Sequence, residues 1–189
     1  MNQEPIRAAE MVIRACDRLG IPYYVAGSLA SSRYGYPRST NDVDVILDLH
    51  PDQVDHFVSA LGDGYYADAA MIRNSLRMGI CSNLIHLETM IKIDLYDLKS
   101  MPFSQEAMQR RQVQRTDESQ VPIAFATAED VLLAKMLWYR QGGDRSDLQK
   151  RDLIGILRIQ GETLDVGYIE AWVSRLELGD LWARLRQDV

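Results

Sequence analysis

The sequence has little cysteine, little histidine, no excess of positive charge and no long apolar run, and each shortage removes a class of protein. Its two cysteines, Cys16 and Cys81, continue an apolar helical stripe and open an apolar strand. Two free buried thiols are the expected state, against a disulfide or a metal pair. His50, His56 and His86 share no ligand spacing with one another or with cysteine, so they read as ordinary surface or core residues. Lys and Arg number 21 against 27 Asp and Glu, a formal net charge of -6. No global basic field would hold the chain on nucleic acid, and such binding would need a local patch. No stretch approaches the roughly 18 apolar residues of a membrane span. The segment from Met1 to Arg14 is broken by Glu4, Arg7, Glu10 and Arg14 and has no secretory apolar core. A cytoplasmic location without membrane contact is expected.

What is present fits an ordinary globular chain: 189 residues, 47% hydrophobic and 25% charged, long enough to bury a core without staples. Ile6, Ala9, Ile13, Cys16 and Leu19 recur at helical spacing, and Gly20 follows as a stop. Tyr23 to Ala26 is a short β-prone run ended by Gly27, and Ser28 is placed to cap a second helix. Val43, Val45, Leu47 and Leu49 alternate with Asp42, Asp44, Ile46 and Asp48, which predicts a strand with its acids on one face. A helix is predicted after Pro51, and a hairpin over Ile80–Leu87 and Ile91–Leu95. A helix capped by Ser104 follows, then a polar run from Gln112 to Gln120 and a strand over Val121–Ala126. From Thr127-Ala128-Glu129-Asp130, a capping-box pattern with Asp in the Glu position, the periodicity is helical. The expected fold class is therefore α/β (α+β): an α/β domain over residues 1–126, then a helical C-terminal subdomain over 127–189.

The chemistry concentrates in two short motifs. Gly27-Ser28 after a strand offers a phosphate site, with a hydroxyl and the positive end of a helix dipole aimed at one point. Asp42 and Asp44 lie two apart on a strand, so both carboxylates share a face and can grip a hard divalent cation. A third carboxylate is expected from Asp94, since Ile91, Ile93 and Leu95 mark the opposite, buried face of its strand. Asp97 has the other parity and ranks second. Arg38, shortly before the acidic strand, can add a charge-assisted contact to phosphate.

In this order, Gly27-Ser28, Asp42-x-Asp44 and Asp94 resemble the nucleotidyltransferase fold of the DNA polymerase β superfamily. The run from Gly27 to Asp44, Ala128 to Lys135 and Arg151-Asp152 look like the small bacterial AbiEii/AbiGii-type toxin nucleotidyltransferases and their relatives. The resemblance implies a mixed-sheet domain and transfer of a nucleoside monophosphate from a nucleoside triphosphate, dependent on Mg2+ or Mn2+. Asp42, Asp44 and Asp94 would be metal ligands and catalytic residues, Asp94 also serving as base. Gly27, Ser28 and Lys135 would bind the nucleotide, joined by Arg38 on the strength of its charge and position. The acceptor stays open between an RNA end, a protein hydroxyl and a small molecule. A toxin role, with an antitoxin partner or a homodimer, follows from the resemblance only. The alternative is a non-catalytic module of the same fold that binds a nucleotide or a partner protein.

Several residues have plainer readings. Lys135 among Leu132, Leu133, Met136 and Leu137 suits a snorkelling surface lysine as well as a nucleotide ligand. Trp138, Trp172 and Trp182 are expected in the core rather than stacked on bases. Arg110, Arg111 and Arg115 are expected to be a solvated helix end rather than an RNA track. Arg151-Asp152 reads as a local surface ion pair unless it belongs to the family pattern.

Overall fold

The computed structural model describes residues 4–116 and 119–189. Met1–Gln3 and, within the polar run, Asp117 and Glu118 lie outside them. The amphipathic helix α1 (Glu4–Leu19) leads into β1 (Tyr23–Val25), α2 (Gly27–Tyr34), β2 (Asp42–Leu47) and α3 (Val54–Leu61). Then come β3 (Tyr65–Tyr66), α4 (Ala69–Met78), β4 (Ser82–His86), β5 (Ile91–Asp97), α5 (Ser104–Arg110), β6 (Gln112–Gln114) and β7 (Ile123–Phe125). The chain ends in α6 (Ala128–Gln141), α7 (Asp147–Gln160), α8 (Val166–Arg175) and α9 (Gly179–Gln187).

The strands form one seven-stranded sheet in the order β3-β4-β5-β2-β1-β7-β6. β2 runs parallel to β5 and β1 to β7, and every other pair is antiparallel, so the sheet is mixed as expected. The period-two pattern decides the faces. Val43, Val45 and Ile93 have no exposed surface, and α1 packs on β2 and β5 with α3 beside it. The parallel register sets Asp44 directly opposite Asp94 and Asp42 opposite Lys92, on the other face.

Some expectations need correction. Ser28 does not cap α2: the helix already starts at Gly27, its N-cap is Ala26, and no side chain caps it. Ser104 is likewise inside α5, whose N-cap is Phe103. The Thr127 cap is present, its hydroxyl oxygen accepting from the Asp130 N–H at 3.3 Å. β3, β6 and α4 are additions. The polar run contains β6, an edge strand whose Val113 is 67% exposed. α4 buries only Ile72 and Ser75 and so has a weak stripe, though Asp68 caps its start and a left-handed Gly79 ends it.

Of the helices after β7, α6 and α7 pack against α2, with α8 on α6 and α9 on α7 and α8. Gly155 of α7 permits a close approach: a Cβ there would lie 2.9 Å from the Tyr36 backbone nitrogen. The residues following α2 are thereby held against α7. Leu29, Leu132 and Ile156 belong to one hydrophobic core.

Candidate active site

On the face away from α1, the sheet opens into a cavity of about 250 Å³. Tyr24, Asp42, Asp44, Ile46, Asp94 and Tyr96 line it from three neighbouring strands, Ala26, Gly27 and Ser28 from the cap and start of α2, and Lys135 and Trp138 from α6. The two motifs that the sequence separates by thirteen residues thus meet. They also touch. Gly27 sits at φ +58°, and a Cβ on it would fall 1.6 Å from Asp44 Oδ2. The absent side chain makes room for the β2 carboxylate itself, a reason additional to phosphate approach.

The acids are short of compensation. Burial first, then Asp42 and Asp94, push the Asp44 carboxyl up to about 6, against weaker pulls from Lys135 and Lys92. Lys92 Nζ lies 2.7 Å from Asp94 Oδ2, and the Thr40 hydroxyl donates to Asp42 Oδ1. Among the described residues, no group of three or more His, Cys, Asp or Glu side chains is arranged as a ready metal cage. The donor set nevertheless fits a hard divalent cation. It is all oxygen and in register on two strands, and its mutual repulsion would be relieved by added positive charge. Asp97 is elsewhere, accepting from the Lys99 N–H at 2.9 Å.

Behind the Gly-Ser turn lies a second cluster, centred on Asp152, which is 3% exposed. Its Oδ2 accepts from Lys135 Nζ at 2.8 Å, from Arg38 Nε at 3.2 Å and from the Ser31 hydroxyl at 3.4 Å. Arg38 also donates to the Ser28 hydroxyl oxygen. Lys135 reaches Gln149 Oε1 at 3.1 Å as well. Burial lowers the Lys135 pKa, and the bond to Asp152 opposes that shift. Two of the plainer readings are excluded here. Lys135 is not a snorkelling lysine, being 4% exposed, and Asp152 is no surface partner of the exposed Arg151. Asp152 is the residue that sequence reasoning undervalued. Its signal was there: Gln149, Asp152, Leu153 and Ile156 recur at three- and four-residue steps, so an acid sits on the apolar face of α7.

One member of the basic run is also engaged internally, while Arg115 is exposed as expected. Arg110 is spent internally, 3.2 Å from Glu129 Oε2, 3.7 Å from Asp130 Oδ2, and stacked over the Tyr168 ring at 3.8 Å. It is neither a solvated helix end nor a free RNA contact. Trp172 and Trp182 are buried as expected, but Trp138 is 47% exposed, since its position on α6 faces the cavity. Cys16 is buried and Cys81 half-buried, both as free thiols. His86 Nδ1 meets the Thr89 hydroxyl at 2.8 Å, an ordinary structural contact.

No family model matches the chain, and no curated protein does. Solved structures do. The antibiotic-resistance factor ANT(2'')-Ia aligns over 100% of this chain and 98% of its own, at 12% identity and a TM-score of 0.52. An antigenic nucleotidyltransferase-like protein from Paracoccidioides brasiliensis aligns over 97% of this chain and 93% of its own, at 16% identity and a TM-score of 0.57. The fold is nucleotidyltransferase-like. At these identities the likeness carries the fold alone, and the toxin-type subgroup finds no support in it. Among the described residues, no helix is long and apolar enough to cross a membrane.

Proposed function

We propose that the chain is a metal-dependent nucleotidyltransferase, moving a nucleoside monophosphate from a nucleoside triphosphate to a hydroxyl acceptor. One observation carries the reading: Asp44 and Asp94 face each other across parallel strands, in a cavity that also holds Gly27 and Ser28. Asp42, Asp44 and Asp94 would hold Mg2+ or Mn2+, which when bound neutralises phosphate charge and favours ionisation of the acceptor hydroxyl. The chain's own residues do the positioning. The N-terminal turn of α2 and Ser28 receive the triphosphate. Lys135 and Arg38, held by Asp152, supply positive charge beside it. The acceptor oxygen bonds to the α-phosphorus, the bond from that phosphorus to the bridging oxygen breaks, and pyrophosphate leaves. The acceptor's proton passes to a carboxylate of the set, Asp94 by position. We also propose that residues 127–189 form the acceptor-side subdomain. A toxin role with an antitoxin partner rests on the sequence resemblance alone.

A second reading, a non-catalytic nucleotide- or protein-binding module, is favoured by one feature. Thr40 and Lys92 already occupy oxygens of Asp42 and Asp94. Incubation with α-labelled and γ-labelled nucleoside triphosphates, Mg2+ and cell extract separates the two. The enzymatic reading expects α-label, and no γ-label, on an acceptor with wild type and none with Asp44→Asn. Equal transfer by both proteins removes Asp44 from the mechanism, and nucleotide binding without transfer favours the module.

A further inference from the structure

Trp138 lies where a core tryptophan would not. Trp172 and Trp182 are 9% and 7% exposed, whereas Trp138 is 47% exposed. The two buried indoles each carry an arginine over the ring, Arg175 at 4.7 Å and Arg186 at 5.6 Å. Among the described residues no cation or aromatic ring covers Trp138. It stands three residues after Lys135 on α6, so the two side chains are neighbours on one helix face. Both line the cavity, with Ser28 and Gln149.

Gln149 has a fixed sense in this setting. Lys135 can only donate, so the oxygen of the Gln149 amide faces it, at 3.1 Å, and the amide nitrogen is left to donate elsewhere. An uncovered aromatic face and a spare donor therefore adjoin the residues assigned above to phosphate. A nucleobase presents what these two groups lack: a flat π-face and ring acceptors at its edge.

We propose that Trp138 is the stacking platform for the base of the bound nucleotide, with Gln149 donating to the base edge. This rests on the nucleotide reading of the cavity. It explains why the indole remains in solvent: its partner is the substrate.

The chain carries its own probe, because Trp138 is the most exposed of its three tryptophans. The full-length protein is titrated with each of the four nucleoside triphosphates, and with inorganic tripolyphosphate, in the presence of Mg2+. Tryptophan emission and equilibrium dialysis are read in parallel. The nucleotides should quench emission along the dialysis isotherm, and tripolyphosphate should bind without quenching. Trp138→Ala should weaken nucleotide binding by about 5- to 150-fold, the range expected for loss of one base stack. It should leave tripolyphosphate affinity unchanged, and Trp138→Tyr should recover most of the loss. If Trp138→Ala binds nucleotides like wild type, the platform is refuted while the nucleotide reading stands. Poor transfer by a variant that binds normally would still refute the platform, and would assign the indole to the acceptor. If wild type binds neither nucleotides nor tripolyphosphate, both readings fall together.

Discussion

A lone buried acid and a group of three lie on either side of the Gly-Ser turn, and the protein treats them oppositely. Asp152 is buried with its cations in place, meeting Lys135 and Arg38 directly and Ser31 through a hydroxyl. Asp42, Asp44 and Asp94 share one cavity, repel one another, and have Lys92 as their close cation. The first arrangement is closed and holds basic side chains in position. The second is open, with negative charge that the fold does not itself balance. A buried acid that is fully met reads as scaffold, and one left short of charge reads as a place for a ligand.

The sharpest way to break this comparison is to open the closed cluster. Asp152→Ala would leave Lys135 charged and buried without its main partner, at an expected cost of about 3–5 kcal/mol. Urea unfolding measures it. The double variant Lys135→Met with Asp152→Leu should recover most of that loss, and a double variant no better than the single would deny that the pair is the cause. Next comes the contact between the turn and the open set. Gly27→Ala combines a left-handed backbone with a Cβ inside the Asp44 carboxylate. About 2–4 kcal/mol of stability should go, read as a fall in Tm.

Asp44→Asn should act with the opposite sign. The folded chain holds a proton on Asp44 up to about pH 6, where an unperturbed group with its value of 3.8 has already lost it. Stability of the metal-free protein is therefore greatest below that window and falls as pH rises through it. Asp44→Asn should remove this slope and stabilise the metal-free protein at pH 7.5 by about 1–3 kcal/mol. Thermal melts from pH 4 to 8 show whether the variant's curve is flatter. The smallest effect belongs to another closed cluster, at the start of α6, where the Tyr168 hydroxyl donates to Asp130 Oδ1 at 2.6 Å. Tyr168→Phe should cost about 1 kcal/mol and leave divalent-cation binding unchanged.

The open set was the more legible of the two in the sequence. Alternation over Asp42–Leu47 states the face of each side chain, and the parity of Asp94 among Ile91, Ile93 and Leu95 states its face too. The register that sets Asp44 against Asp94 was not readable, because strand pairing is a long-range choice. The closed cluster was hidden for a related reason. Its members lie on α2, the following loop, α6 and α7, and charge complementarity between distant segments leaves no local pattern. Arg110 shows the same limit, since three nearby basic residues look alike until Glu129 and Tyr168 are seen to claim one of them. β3 was missed because two residues carry no periodicity. α4 could have been found from Asp68 and Gly79, its cap and stop, despite its thin apolar face.

Whether the three aspartates form an open cation site beside a nucleotide pocket can be tested without knowing the acceptor. The direct measurement is a Mn2+ titration of wild type, Asp44→Asn and Asp94→Asn, following free Mn2+ by electron paramagnetic resonance, with and without nucleoside triphosphate. Wild type should take up Mn2+ more tightly when nucleotide is present, and both variants should lose this uptake. Equal uptake by wild type and Asp44→Asn, or none by wild type with nucleotide present, would contradict such a site.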